Sequence, residues 1–221
     1  ALLSLSNLSD ARMRNAKSGA WWQDNQQRAL SNNSVAYTDT IDTASFMREW
    51  LSLYESKSGE RGMFNRQAAV KQAAKNGRRE EYADFGTNPC SEIILRNKQF
   101  CNLTEVVIRE KDDEESLSRK VRLATILGTW QSTLVNFKFL SSEWKKNCEE
   151  ERLLGVSLTG IMDSETTRKV DGLSLRLQRL RSTAIKVNKE LADELGIPQS
   201  AAITCVKPSG TVSQLTDAAS G

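Results

Sequence analysis

The sequence predicts an α/β protein, and three observations carry that prediction. After residue 103, short β-rich or apolar runs alternate with long helical patterns, as strand–helix units do. The clearest helix runs from Gly172 to Leu195, where Leu173, Leu177, Leu180, Ala184, Val187, Leu191 and Leu195 form one stripe that Gly196 and Pro198 close. The clearest strands are Leu153–Leu158 and Ala201–Val206, nearly continuous apolar runs suited to a sheet covered on both faces.

The remaining elements follow in chain order. Ser9 and Asp10 can cap a short helix through Lys17, with Gly19 as its stop. Trp21 and Trp22 read as packing residues, and Gln23–Leu30 as polar helix or loop. Ser31 to Tyr37 reads as a loop entering a short strand, and its Asn and Ser side chains can either line a site or make ordinary turns. Thr43 can cap a helix from Ala44 to about Ser56, with Phe46, Trp50, Leu53 and Tyr54 on one face. Ser58 to Arg66 is expected to turn into a second helix ending at Asn76 and Gly77, followed by a charged loop to Thr87. Thr104–Arg109 is β-rich, and Lys111–Glu115 is a solvated charge run. A long helix is expected from about Glu114 to Val135, with Leu117, Val121, Ala124, Leu127 and Leu134 as core, and a shorter one over Glu143–Glu151.

The chain has 221 residues, enough for one domain or a large piece of one. Its formal net charge of +3 gives no bias toward nucleic acid or membrane surfaces. No run of about 18 apolar residues is present, so no transmembrane helix is expected. Both ends look cut from a longer polypeptide: Ala1 is not an initiator methionine, and Gly221 follows no evident cap. Four cysteines without histidine or a Cys-x-x-Cys pair point to thiol chemistry in a reducing, cytoplasmic compartment, with no metal site expected.

Two stretches carry chemistry. In Asn88-Pro89-Cys90-Ser91-Glu92, the proline pushes Asn88 toward an extended conformation. If the chain stays extended through Cys90, the Asn88, Cys90 and Glu92 side chains point the same way and present an amide, a thiol and a carboxylate to one small ligand. A second cysteine, Cys101, follows eleven positions after the first. The plainer reading of such cysteines is small buried hydrophobes. In the tail, Ala201–Val206 feeds Lys207-Pro208-Ser209-Gly210-Thr211, where backbone N–H groups, two hydroxyls and a lysine suit a phosphate. A Pro-Ser-Gly turn is common by itself.

The full strings add to this. Gly86-Thr87-Asn88-Pro89-Cys90-Ser91-Glu92-Ile93-Ile94-Leu95 followed by Phe100-Cys101-Asn102-Leu103-Thr104-Glu105-Val106 resembles the active-site finger loop of ribonucleotide reductase catalytic chains. It is most similar to the monomeric, adenosylcobalamin-dependent (class II) ribonucleoside-triphosphate reductases. Gly59-Glu60-x-Gly62-x-x-Asn65-Arg66, Gly155–Asp163 and Lys207–Thr211 resemble the same family in the same order, and the two chemical motifs lie about 120 residues apart.

The resemblance implies part of a ten-stranded α/β barrel with a central finger loop. Residues 1–221 would be a single segment of that barrel domain, with the finger at about 86–103 and the phosphate loop at 207–211. It implies that Cys90 carries a thiyl radical generated with adenosylcobalamin. Glu92 would accept the 3′-hydroxyl proton, Asn88 would bind the sugar hydroxyls, and Cys101 would be one of two reducing thiols. Pro208, Ser209, Gly210 and Thr211 would hold the phosphates of a ribonucleoside triphosphate. The second reducing thiol is expected on an early strand before Ala1, and a thioredoxin-type reductant and a nucleotide effector are expected as partners. Cys148 and Cys205 match no family role and read as structural thiols. Two alternatives stay open, a non-catalytic nucleotide-binding fragment and a class I large subunit that takes its radical from a partner chain.

Overall fold

The computed structural model describes residues 2–57, 61–75, 77, 79 and 84–220. The fold is mixed α/β, in two compact units, residues 1–97 and 98–221.

The first unit is built on a parallel sheet of β1 (Leu2–Ser6), β2 (Ser31–Tyr37) and β3 (Gly62–Asn65), with β2 in the centre. The whole run from Ser31 is strand rather than loop, and its residues from Asn33 to Tyr37 are buried. Between β1 and β2 lie α1 (Ala11–Arg14), α2 (Trp21–Asp24) and a 3₁₀ turn over 26–30; between β2 and β3 lies α3 (Thr43–Ser56). The first helix stops at Arg14, three residues short of expectation, and Asp10 caps it by accepting the Met13 N–H. Lys17 lies beyond the helix with its amine 4.7 Å from the Trp21 ring centroid, while Trp22 stays exposed.

Asp42, not Thr43, caps α3, its carboxylate accepting the Ser45 N–H at 3.0 Å. The apolar face of α3 is turned outward: Phe46, Trp50 and Tyr54 are exposed, and the buried residue is Glu49. Glu49 is held by Arg14 at 3.0 Å and by Arg61, so paired charge replaces an apolar contact. The expected turn at Ser58-Gly59-Glu60 lies outside the described residues, and Gly62–Asn65 form a strand rather than part of a turn. Gly62 suits its place, because a β-carbon there would sit 2.7 Å from the Ser34 hydroxyl oxygen. Asn65 then caps α4 (Arg66–Ala74), which ends before the expected stop; Asn76 and, in the charged loop, residues 78 and 80–83 lie outside the described residues. Ala36, Phe64, Ala69, Ala73 and Phe85 form the core. The unit closes with a short antiparallel pair, β4 (Gly86–Thr87) with β5 (Ile94–Leu95).

The second unit pairs β6 (Asn102–Val107) and β7 (Leu154–Thr159) in parallel, with Glu105 in register with Ser157. Between them run α5 (Glu114–Gln131) and α6 (Ser142–Glu151). Asp113 and Ser116 close a reciprocal capping box at the start of α5. This helix ends four residues before Val135. Leu117, Val121 and Ala124 enter the core as expected, whereas Leu127 and Leu134 are exposed. After β7 come a 3₁₀ turn over 161–163, α7 (Glu165–Arg168) and α8 (Leu173–Leu195), the last stopped by Gly196 at φ +65°. Val106, Val121, Ala124, Leu154, Val156, Ala184 and Ile203 form one core between the sheet and these helices.

The strand expected at Ala201–Val206 is reduced to a bridge between Thr204 and Val156. Leu154 and Val156 donate to the Ala202 and Ile203 carbonyls, but Val206 is 90% exposed and the pairing stops there. The chain then turns into α9 (Val212–Leu215).

Candidate functional site

In the first unit the segment carrying Cys90 is a tight turn, not an extended strand. Thr87 pairs with Ile94, so the chain must reverse within the intervening residues. Asn88 anchors the reversal: its N–H donates to the Ile93 carbonyl at 3.3 Å, its carbonyl accepts the Ser91 N–H at 3.0 Å, and its side-chain Oδ1 accepts the Ile93 N–H at 3.0 Å. Ser91 takes up φ +64° to complete the turn. Strand alternation therefore does not align Asn88, Cys90 and Glu92; the turn holds them close in sequence on a hairpin tip instead.

The three side chains differ in environment. Cys90 is a free, exposed thiol. Glu92 is half-buried, and its Oε2 is buried with no hydrogen-bond partner. Asn88 spends its Oδ1 on the turn, which leaves its amide N–H₂ as the group it can offer a ligand. A further residue holds the turn. Asn32, on the central strand β2, donates from Nδ2 to the Pro89 carbonyl at 2.9 Å, immediately before Cys90. The polar start of this strand was the only sequence signal for that contact.

In the second unit Cys101 directly precedes β6 and is half-buried. Its neighbours are fixed on both sides. The Phe100 ring stacks on Trp144 at 4.5 Å and meets Phe137 edge-on at 5.2 Å, and its N–H donates to Cys148 Sγ at 3.4 Å. Asn102 donates to the Leu153 carbonyl from both backbone and side chain, each at 2.9 Å. Cys148 is buried, and burial pushes its thiol above the ordinary range.

The Lys207–Thr211 turn follows the segment that bridges to β7 at Thr204. Lys207 donates to the Pro208 carbonyl at 2.9 Å and lies 3.6 Å from the Glu105 carboxylate. Ser209 is 1% exposed, and its hydroxyl is engaged inward with Ser213 at 2.8 Å and Ser220 at 3.1 Å. Gly210 sits at φ +58° with open space around the β-carbon position, and Thr211 is exposed ahead of α9. The face open to a ligand is thus the Gly210–Thr211 backbone and the Thr211 hydroxyl, while Ser209 holds the turn. Among the described residues no group of His, Cys, Asp and Glu could hold a metal ion, and no helix is long and apolar enough to cross a membrane.

No family model matches the chain. Curated relatives do match. The adenosylcobalamin-dependent ribonucleoside-triphosphate reductase of Levilactobacillus brevis is 29% identical over 88% of this chain and 29% of its own length. The protein of the same description from Lacticaseibacillus paracasei is 28% identical over 90% of this chain and 30% of its own length. Among solved structures, a B12-dependent (class II) ribonucleotide reductase superposes with a TM-score of 0.67 at 25% identity, covering 99% of this chain and 34% of that one. The chain spans about three-tenths of the length of the curated relatives it matches. Along nearly its whole length, then, in sequence and in fold, the chain is similar to adenosylcobalamin-dependent, class II ribonucleotide reductases.

Proposed function

We propose that this chain forms the finger-loop and phosphate-loop segment of a ribonucleotide reductase barrel, and that the full-length protein reduces ribonucleoside triphosphates to 2′-deoxyribonucleotides. The observation that carries the reading is the hairpin tip that joins an exposed free thiol, Cys90, to a carboxylate, Glu92, whose Oε2 is buried and unpartnered. An unpaired buried carboxylate oxygen is costly unless something arrives to use it.

Adenosylcobalamin is the cofactor in the name of the relatives, and the residue here that fits it is Cys90, whose thiol is open to a bulky partner. When bound, the cofactor would supply the one-electron oxidation that turns this thiol into a thiyl radical. Cys90 then takes the 3′ hydrogen of the ribose. Glu92 accepts the 3′-hydroxyl proton, which helps expel the 2′-hydroxyl as water, and the Asn88 amide orients the sugar hydroxyls. Cys101 supplies one of the two thiols that become a disulfide as the sugar is reduced, and a thioredoxin-type protein restores it. The 3′ hydrogen returns from Cys90, regenerating the radical. The Gly210–Thr211 backbone holds the triphosphate, and Pro208 and Ser209 shape that turn. A nucleotide effector and a cytoplasmic location complete the reading.

The test is an assay of the full-length protein with ribonucleoside triphosphates and a dithiol. Deoxyribonucleotide is expected only when adenosylcobalamin is added. Turnover without it, driven by a metal-containing partner chain, would instead place the protein with the class I enzymes.

A further inference from the structure

Two polar side chains of the second unit each bury an oxygen that makes no hydrogen bond, on one face of the β6–β7 pair. Val106, Leu154 and Val156 point into the core against the helices, so strand alternation sends Glu105 and its register partner Ser157 to the opposite face. Ser157 is 2% exposed and its hydroxyl makes no hydrogen bond; Glu105 Oε1 is buried and makes none either. The other carboxylate oxygen of Glu105 lies 3.6 Å from the Lys207 amine, whose backbone leads directly into the Pro208–Thr211 turn. Buried hydroxyls and carboxylates are almost always satisfied, because each lost hydrogen bond leaves a desolvated group. Two such groups side by side, next to a lysine at the mouth of a proposed phosphate turn, mark a place prepared for a ligand.

We infer that Glu105 and Ser157 form a polar subsite for an uncharged hydrogen-bond donor, a hydroxyl or amine of the nucleotide whose phosphates lie at Gly210 and Thr211. Glu105 Oε1 accepts from that donor, and the Ser157 hydroxyl makes the second bond. Lys207 faces the other carboxylate oxygen at 3.6 Å, which leaves Oε1 as the oxygen turned to the ligand. The subsite rests on the phosphate reading of the neighbouring turn and adds the part of the ligand that the turn does not hold. Glu105 and Ser157 lie in the Phe100–Val106 and Gly155–Asp163 strings, but no role was assigned to either from the sequence.

The test uses the full-length protein, with a ribonucleoside triphosphate and inorganic triphosphate as separate probes in a calorimetric or competition measurement. Ser157→Ala and Glu105→Gln should each weaken ribonucleotide binding about tenfold, the loss expected for one hydrogen bond to a buried polar group, while inorganic triphosphate binds as before. Equal loss for both probes would overturn the subsite, since the two residues would then serve only to hold Lys207 and the turn. Loss for neither would also overturn it, with water satisfying the two groups. Ser157→Ala removes a single buried atom and leaves the fold intact if Glu105→Gln disturbs it. Gly210→Val, read on the same probes, reports on the phosphate reading separately: it should weaken both, because a β-branched side chain at φ +58° is strained and covers the backbone the phosphate approaches.

Discussion

At the scale of single residues, environment separates side chains that composition leaves equal. Cys148 and Cys90 are both free thiols, but one is buried with its pKa raised and accepts the Phe100 N–H, while the other stands exposed on a hairpin tip. Alkylation of the native protein followed by peptide mapping should label Cys90 first and Cys148 only after denaturant is added; labelling in the reverse order would contradict the placement of both.

Asp112 shows the same sorting among carboxylates. Burial pushes its pKa up, yet the Lys120 amine, the Arg109 N–H at 2.7 Å and the Ser116 hydroxyl at 2.9 Å together hold it below the ordinary range. Its stabilisation is therefore present above the usual carboxylate pKa and is lost as pH falls through the lowered value. Asp112→Asn should cost about 1–3 kcal/mol in denaturant unfolding near neutral pH, with the gap to the parent protein shrinking on acidification. A gap that widens toward acid would mean that the sign is wrong. The sequence showed Asp112 only as one charge in a solvated run, because its partners, the Arg109 N–H of its own turn and two side chains of the next helix, converge only once the turn and helix have formed.

At the scale of elements, what could be read from the sequence depended on where the partners come from. The long stripe of α8 and the apolar run of β7 carry their own periodicity, and both were legible. The strand at β3 was not, since its four residues hold no pattern and exist through pairing with Ser34–Tyr37. The segment from Ala201 to Val206 has the composition of a strand but pairs with β7 at one bridge only, and its end turns out to solvent. Burial of α8 adds a polar lock that no stripe announces. Asn188 is fully buried, donates to Thr129 on α5 at 3.0 Å and to Ser200 at 2.9 Å, and accepts the Ser200 N–H at 3.0 Å. Asn188→Leu strands all three partners in the core, so a loss of about 2–4 kcal/mol is expected in denaturant unfolding, against less than about 0.5 kcal/mol for an exposed site on the same helix such as Lys189→Ala. Equal effects at the two positions would remove the lock from the account.

At the scale of the whole molecule, the motifs were more informative than the elements. The order Asn88–Glu92, Phe100–Val106, Gly155–Asp163, Lys207–Thr211 identified the relatives before any fold was known, and the similarity to class II reductases over 88–90% of the chain agrees with that order. Geometry stayed hidden. The hairpin that turns Cys90 outward depends on a local side-chain bond, Asn88 accepting from Ile93, and on Asn32 reaching from β2, 57 residues away from Pro89 in sequence. The inward engagement of Ser209 was equally out of reach, because its partners Ser213 and Ser220 approach only when α9 forms.

The central claim is that Cys90 carries the reaction and is not a surface thiol of a nucleotide-binding fragment. Cys90→Ser in the full-length protein, supplied with adenosylcobalamin, a dithiol and a ribonucleoside triphosphate, addresses it most directly through deoxyribonucleotide formation measured beside nucleotide affinity. The account predicts that product formation falls to less than about one part in a thousand of the parent rate while affinity is unchanged, since no other group can take over a unique radical position. Product at a substantial fraction of the parent rate would contradict it.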